Sequence, residues 1–152
     1  MQPNKDLLEF IELLNANRVD YLVVGGFAVA WHGYPRFTAD IDFLLRPDRA
    51  NAESVITTLR EFGFAGLGIA PEDLSRPDQI VQLGVKPNRI DLITSIAGVP
   101  FEEAWESRVA GAIEGRPVPF IGRDALLRNK EATGRPQDMR DVLVLRQRPP
   151  RE

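Results

Sequence analysis

Two aspartates separated by a single residue, Asp40 and Asp42, begin a short apolar segment that runs to Leu45. Successive side chains of a β-strand point to opposite faces, so both carboxylates would share one face while Ile41 and Phe43 share the other. Two carboxylates ~7 Å apart at their Cα atoms can converge on one hard cation or on a pair of cations. The competing interpretation is the wet face of an amphipathic strand, although aspartate is disfavoured in strands and is costly beside a buried segment without a cation.

A third carboxylate, Asp91, stands between two apolar residues in the segment 89–93, which is typical of a central strand. An acid buried in this way needs a partner. If this strand lies beside the first, Asp91 joins the aspartate pair, and three carboxylates can hold two Mg²⁺ ions ~3.5–4 Å apart for an in-line phosphoryl displacement. The alternative partner of Asp91 is Arg89, in an ion pair at the surface.

A pair of glycines, Gly25 and Gly26, follows the apolar segment 21–24 and precedes a short helical segment at 27–32. Glycine adopts positive φ and lets a ligand approach the backbone closely. The start of a helix offers unpaired N–H groups and a partial positive charge, which suit a phosphate. An ordinary turn between a strand and a helix would explain the same residues.

Three further residues are candidates for contacts with phosphate. Arg36 and Thr38 directly precede Asp40, and an arginine at this place can neutralise phosphate oxygens as a leaving group gains charge. A surface arginine without such a role is the alternative. Lys130 lies among apolar residues of a helical segment, where the alternative is a lysine whose stem covers apolar surface.

The elements that must position these residues follow from hydrophobic periodicity and from the placement of glycine and proline. Helices are predicted over residues 6–14, 27–32, 48–62, 101–108, 124–132 and 137–145, with Asn4 capping the first. Strands are predicted over residues 21–24, 41–45, 80–85, 89–93, 109–113 and 117–121, and residues 63–77 are predicted to form a loop. Because helices and strands interleave while hairpins also occur, the sequence favours an α+β fold with a mixed sheet.

Composition excludes several classes of site. The chain has 152 residues, which suits one domain, and it contains no cysteine and one histidine. Disulfide frameworks, thiol nucleophiles, thiolate metal sites and sites with several histidines are therefore excluded. No apolar run approaches the ~20 residues that a membrane span requires, and the N-terminal residues do not resemble an export signal. A cytoplasmic protein is the default expectation.

Charge is distributed unevenly along the chain. Residues 115–152 carry a net charge of +4, whereas the residues before them carry −7. A basic segment beside an acidic body can bind a polyanion, and a solvated helical face is the other interpretation. Within this segment, Asp138 and Asp141 are placed to orient Lys130 or Arg135 by ion pairing, or to serve as caps and surface charges.

The order of these motifs resembles the nucleotidyltransferase superfamily, which has the fold of DNA polymerase β. The resemblance is greatest to small bacterial nucleotidyltransferases related to abortive-infection and toxin–antitoxin systems. It covers roughly residues 21–145 and rests on the segments 22–26, 32–33, 35–42, 88–92, 101–105 and 130–138. Of these, the glycine pair followed by Asp-x-Asp, a later single aspartate and the Lys130 to Asp138 segment is the most specific combination.

The resemblance implies a nucleotidyltransferase fold of the α+β class, with a small mixed sheet flanked by helices and C-terminal helices that close a cleft. It implies one domain over residues 1–152, with a core at about 21–121 and a helical part at about 122–146. It also implies roles for the candidate residues. Asp40 and Asp42 would hold both metal ions, and Asp91 would complete the catalytic metal site.

For the nucleotide, the resemblance implies that Gly25 and Gly26 cradle the triphosphate and that Lys130 points into the cleft toward the phosphates. Many relatives have a serine in place of Gly26. With Gly26 in this chain, backbone N–H groups alone would have to supply the contact that the serine hydroxyl makes with phosphate.

These expectations define a metal-dependent nucleotidyltransferase, with two Mg²⁺ ions or Mn²⁺ as the alternative. It would transfer a nucleoside monophosphate from a nucleoside triphosphate to an acceptor hydroxyl of an RNA, a protein or a small molecule, and an antitoxin or another partner protein could complete the site. The alternative is a catalytically silent nucleotide-binding or antitoxin-like module of the same fold. A sugar-nucleotide transferase would use Asp-x-Asp but leaves the glycine pair unexplained, and the motifs of Rossmann, P-loop and EF-hand sites are missing.

Overall fold

The computed structural model of the chain describes residues 4–151. Its α-helices are α1 (Lys5–Ala16), α2 (Gly25–Trp31), α3 (Arg49–Phe62), α4 (Pro71–Leu74), α5 (Phe101–Glu106), α6 (Arg123–Thr133) and α7 (Pro136–Arg146). Its strands are β1 (Tyr21–Val24), β2 (Asp40–Leu45), β3 (Ile80–Leu83), β4 (Arg89–Ile93), β5 (Val109–Ile113) and β6 (Arg116–Phe120). Among the described residues, no helix combines the length and the apolar composition needed to cross a membrane.

One mixed sheet contains all six strands in the order β3-β4-β2-β1-β6-β5. Strand β2 runs antiparallel to β1 and parallel to β4, and β1 runs parallel to β6. The outer pairs β3–β4 and β5–β6 are antiparallel hairpins. The prediction of a mixed sheet in an α+β fold is therefore confirmed, and the parallel pairing of β2 with β4 is the contact on which the site depends.

The first helix packs on the face of the sheet that carries the apolar side chains of β2. Phe10 of α1 lies 5.8 Å from Phe43 and 5.1 Å from Phe62 of α3, measured between ring centroids. Both helices begin at a capped residue. Asn4, the predicted cap of α1, accepts a hydrogen bond from the N–H of Leu7, and Asp48, predicted as the first residue of the helix over 48–62, instead caps α3 by accepting from the N–H of Asn51. This packing buries Ile41 and Phe43 and leaves the aspartates of β2 on the opposite face of the sheet.

Most elements lie within a few residues of their predicted bounds, and two segments depart from the prediction in kind. Helix α2 begins at Gly25, so the two glycines form its first turn and do not precede it as a loop. The predicted loop over residues 63–77 contains a short 3₁₀ turn and the single-turn helix α4, whose Leu74 is buried. Proline at the first position of α4 favours such a turn, and burial of Leu74 supplies the stabilisation that local periodicity cannot reveal.

Candidate active site

Three aspartates converge on the open face of the sheet. In the parallel register of β2 with β4, Asp42 lies opposite Asp91 and Asp40 lies opposite Arg89. One carboxylate oxygen from each of Asp40, Asp42 and Asp91 lies within 4.8 Å of the others. Asp91 is buried, and the two aspartates of β2 are half-buried. This cluster can hold a divalent cation, because hard cations prefer several carboxylate oxygens at one place.

The cluster lies in an open cleft of about 770 Å³. The cleft is bounded by the end of β1, the start of α2, strands β2, β3 and β4, and the C-terminal part of α6 with the start of α7. All eight residues predicted from the sequence as site residues line it: Gly25, Gly26, Arg36, Thr38, Asp40, Asp42, Asp91 and Lys130. Residues far apart in the chain thus meet in one space, although the chemical role of each stays a prediction.

A guanidinium group bridges two of the three carboxylates of the acidic cluster. Arg89 donates from Nε to Asp91 Oδ1 at 2.7 Å and from Nη2 to Asp91 Oδ2 at 3.0 Å. The same Nη2 donates to Asp40 Oδ2 at 2.7 Å. Both sequence interpretations of Asp91 therefore describe the structure in part, since Asp91 joins the other carboxylates and also pairs with Arg89.

Burial and repulsion act together on Asp42. Burial raises the pKa of Asp42, the negative charges of Asp40 and Asp91 raise it further, and together they bring it to about 7. A hydrogen bond with Asp91 acts in the same direction, whereas the positive charge of Lys130 opposes the shift. The repulsion that raises this pKa is relieved when the cluster gains a cation or a proton.

The carboxylate of Asp42 leaves room only for a glycine at position 25. The φ of Gly25 is +67°, a left-handed conformation that favours glycine. A Cβ atom at this residue would lie 2.1 Å from Oδ2 of Asp42. The strand therefore turns into α2 directly against the acidic cluster, and only a residue without a side chain fits there.

Gly26 has a different neighbour. A Cβ atom at Gly26 would lie 2.7 Å from Oγ1 of Thr38, and Gly26 itself is buried. The Thr38 hydroxyl donates a hydrogen bond to the backbone oxygen of Asp40 at 3.1 Å. Thr38 therefore fills the space that a side chain at position 26 would take, so a hydroxyl stands beside the cleft although the chain has no serine at that position.

Lys130 lies between two buried aspartates of α7. Its Nζ donates to Asp138 Oδ1 at 3.0 Å and lies 3.2 Å from Asp141 Oδ2. Hydrogen bonds from Thr133, Arg135 and Lys130 outweigh the effect of burial on Asp138 and lower its pKa to about 2. The structure thus confirms that the two aspartates orient Lys130, and the ion pairs join α6 to α7.

Arg36 also pairs with Asp141, one of the two aspartates that lie beside Lys130. Its Nε and Nη2 donate to the two oxygens of Asp141, both at 2.8 Å. Hydrogen bonds from Arg36 and Gln137 and the charge of Lys130 outweigh burial and lower the pKa of Asp141. A direct contact between Arg36 and a phosphate stays a prediction, because two of its donor atoms are engaged by Asp141.

Sequence reasoning did not assign a site role to several other residues of the cleft. Asn129 and Thr133 lie one position before and three positions after Lys130 in α6, so helical periodicity around the lysine could have found them. Three isoleucines form an apolar side of the cleft: Ile80, Ile93 and Ile96. The sequence gives no indication of a site role for them beyond strand alternation. Ile80 is 66% exposed, although it is a large apolar side chain.

Most basic residues of the C-terminal part, residues 115–152, form ion pairs within the protein. Among the described residues 4–151, six of its nine basic residues lie in ion pairs: Arg116, Arg123, Arg128, Lys130, Arg135 and Arg146. Two of the partners, Glu12 of α1 and Glu103 of α5, lie outside the segment, so only part of its excess charge is offset by acidic residues elsewhere in the chain.

Comparison with known proteins places the fold. Comparisons with protein-family models and with curated proteins each give no match. Among solved structures, an antigenic nucleotidyltransferase-like protein from Paracoccidioides brasiliensis is similar, with a TM-score of 0.55, 20% identity and coverage of 95% of this chain and 78% of its own.

Two further solved structures are similar over most of both chains. The lincosamide antibiotic adenylyltransferase LnuA, bound to lincomycin, has a TM-score of 0.56 and 17% identity, covering 95% of this chain and 97% of its own. The antibiotic-resistance factor ANT(2'')-Ia has a TM-score of 0.53 and 14% identity, covering 93% of this chain and 88% of its own. At these identities the likeness concerns the fold alone. The chain therefore has the fold of the nucleotidyltransferase superfamily, as the resemblance of its motifs predicts.

Proposed function

We propose that this protein is a metal-dependent nucleotidyltransferase, which transfers a nucleoside monophosphate from a nucleoside triphosphate to an acceptor hydroxyl. The observation that carries the proposal is the convergence of Asp40, Asp42 and Asp91 within 4.8 Å in an open cleft. Such a set of carboxylates suits two-metal phosphoryl transfer. The similarity of the fold to nucleotidyltransferases supports the same reaction class.

The donor set fits magnesium, with manganese as the alternative ion. Asp40, Asp42 and Asp91 would hold two ions, because all their donor atoms are hard oxygens and their mutual repulsion is relieved by a cation. The missing side chain at Gly25 keeps one side of Asp42 open. When bound, the ions would lower the pKa of the attacking hydroxyl and stabilise the charge that develops on pyrophosphate.

In the proposed reaction, the acceptor oxygen forms a bond with the α-phosphorus while the bond from that phosphorus to the bridging oxygen breaks. The electron pair of that bond leaves with pyrophosphate. Asp91 would orient the acceptor hydroxyl and take up its proton, which its burial on β4 beside the other carboxylates supports.

For the triphosphate, we assign contacts to the side of the cleft formed by α2 and α6. Gly25 and Gly26 would offer backbone N–H groups, with the hydroxyl of Thr38 beside them. Lys130 would offer positive charge, which its position near Asp42 supports. Arg36 would act on the phosphates directly or through Asp141, which it fixes beside Lys130.

The acceptor is an RNA 3′ end, a protein hydroxyl or a small molecule. Two of the similar structures are an antibiotic adenylyltransferase and an antibiotic-resistance factor, which supports testing small hydroxylated molecules first. A role in a toxin–antitoxin system, with an antitoxin or another partner protein, stays a prediction from the resemblance alone.

The proposal is tested by transfer of label from each of the four α-³²P nucleoside triphosphates with Mg²⁺ or Mn²⁺. The acceptors are RNA, cell lysate, candidate partner protein and a panel of aminoglycosides and lincosamides. We expect labelled product and pyrophosphate release from the wild-type protein, with a loss of at least ~100-fold in Asp42→Asn. Asp124→Asn is the matched control, because the Asp124 side chain is 95% exposed and lies outside the cleft.

Two other results would carry different conclusions. Undiminished transfer by Asp42→Asn would remove the two-metal assignment. Metal-dependent nucleotide binding without pyrophosphate release, with every acceptor, would favour the alternative of a catalytically silent nucleotide-binding or antitoxin-like module.

A further inference from the structure

Arg89 belongs to the acidic cluster by position as well as by contact. It is the first residue of β4, it faces Asp40 across the parallel register, and it precedes Asp91 by two residues. Side chains two residues apart on a strand share a face, so Arg89 and Asp91 project from the same face of the sheet as Asp40 and Asp42 of β2. The guanidinium group therefore lies on the same face of the sheet as the carboxylates that it contacts.

Its contacts involve the oxygens that a cation would need. Arg89 donates to both oxygens of Asp91 and to Oδ2 of Asp40, at 2.7–3.0 Å. Nη2 alone bridges Asp40 and Asp91 across the two strands. An arginine side chain stays protonated at any physiological pH, so this positive charge is permanent.

Without a cation, three carboxylates within 4.8 Å would repel one another strongly in a half-buried setting. The Arg89 guanidinium relieves that repulsion with one charge, and its side chain is 20% exposed, so water screens the contact only in part. No other arginine among the described residues bonds to two of these three aspartates.

We propose that Arg89 is a built-in counter-ion of the metal site, which positions Asp40 and Asp91 in the metal-free protein and competes with divalent cations for their oxygens. This inference rests on the proposed function, since it requires the aspartates to bind a metal. A cation held by Asp40 and Asp91 takes the oxygens that Nη2 bridges, so the guanidinium must give up that bridge when the cation binds. The affinity for metal is accordingly lower than the three carboxylates alone would give.

The test compares Arg89→Met with Arg46→Met. Methionine keeps most of the side-chain length and removes the charge and the donors. Arg46 is the matched control, because its side chain is 19% exposed and pairs with two acids, Asp20 and Glu102, outside the cleft. For each protein without nucleotide, Mn²⁺ binding is measured by calorimetry and by electron paramagnetic resonance, and the melting temperature is measured in EDTA and in saturating Mn²⁺.

We expect Arg89→Met to bind Mn²⁺ about 10-fold more tightly than the wild type, since one competing charge is removed. In EDTA it should melt at least ~5 °C lower, and saturating Mn²⁺ should restore most of the difference. Arg46→Met should also melt lower than the wild type in EDTA. Its Mn²⁺ affinity should equal that of the wild type, and saturating Mn²⁺ should leave the difference in melting temperature unchanged. Arg89→Lys, which keeps the charge but cannot bridge in the same way, should bind Mn²⁺ with an intermediate affinity and serves if the methionine variant fails to fold.

Failure of this inference is distinguishable from failure of the proposed function. If the wild type binds Mn²⁺ and the Arg89 variants bind it equally or more weakly, the inference is overturned and the metal site stands. If neither the wild type nor any Arg89 variant binds Mn²⁺, the metal site itself is wrong and the inference falls with it. Binding by the Arg89 variants alone would support the inference in its strongest form.

Discussion

At the scale of single residues, Asp42 makes the metal-free protein sensitive to pH. Its folded-state pKa of about 7 lies above the ordinary value of 3.8, so the folded protein binds more protons than the unfolded chain between these values. The stability that this group contributes is fully present below pH 3.8 and is lost as pH rises through 7. In EDTA, the free energy of unfolding should therefore fall by about 2–3 kcal/mol between pH 5 and pH 8 on account of Asp42.

Asp42→Asn isolates this effect in urea unfolding at pH 5, 6, 7 and 8. The pKa of His32 is lowered by burial, which makes stability rise with pH up to about 6.5 in both proteins. Subtracting the free energy of unfolding of the wild type from that of the variant at each pH removes this common contribution. We expect this difference to favour the variant more at pH 8 than at pH 5. A difference that does not change with pH would contradict the raised pKa of Asp42.

Gly25 offers a second test at the same scale. In Gly25→Ala the new Cβ would lie 2.1 Å from Oδ2 of Asp42, and the left-handed φ of +67° adds strain of about 1–2 kcal/mol. We expect the carboxylate to be displaced and Mn²⁺ affinity, measured by calorimetry, to fall at least ~10-fold. Gly66→Ala is the control, because its Cβ would meet nothing within 4 Å. Unchanged Mn²⁺ binding in Gly25→Ala would show that Asp42 is not a ligand.

At the scale of elements, one buried lysine contributes to the contact between α6 and α7. Lys130 is 7% exposed in its side chain and bridges Asp138 and Asp141. Lys130→Ala would leave both carboxylates buried, and the free energy of unfolding should fall by about 3 kcal/mol, near the low end for breaking a buried pair, because Arg36 and Arg135 remain on them.

The control on the same two helices is Arg146→Ala, whose exposed pair with Glu131 should contribute less than about 1 kcal/mol. If Lys130 also contacts the triphosphate, Lys130→Ala should weaken triphosphate binding by roughly 1.5–3 kcal/mol and leave nucleoside binding unchanged. Calorimetry with both ligands at a temperature where the variant is folded separates the two roles. Equal losses for nucleoside and triphosphate would contradict the phosphate contact.

At the scale of the whole molecule, ion pairing limits how strongly the basic C-terminal part can bind RNA. Beyond the six paired residues, the basic residues of this part are Arg140, Arg148 and Arg151. When a protein binds single-stranded nucleic acid, each phosphate contact adds about −0.7 to the slope of the logarithm of the binding constant against the logarithm of the salt concentration. Three contacts therefore give a slope of about −2, whereas nine contacts give about −6. Anisotropy titrations of labelled oligouridine at several salt concentrations measure the slope. A value near −6 would show that RNA breaks the internal pairs, and Arg140→Ala should lower its magnitude by about 0.7.

The elements of the fold were largely predictable from the sequence. All six strands were predicted within a few residues of their observed bounds, because each is a short apolar segment bounded by glycine, proline or polar residues. The start of α2 at Gly25 was not predicted, because two adjacent glycines are typical of a break in a helix. Helix α4 was missed because four residues are too few to show a period.

By itself, the sequence determined that Asp40 and Asp42 share a strand face and that Asp91 lies on another apolar strand, because alternation along a strand is a local property. Only the tertiary structure decided that β2 and β4 are parallel neighbours, which brings Asp91 opposite Asp42 across a separation of 49 residues and places Arg89 between the carboxylates. It also decided that Lys130 is clamped by Asp138 and Asp141 and that Thr38 covers Gly26. Strand order, register and side-chain pairing depend on how distant faces are buried together, and no local pattern of residues records that.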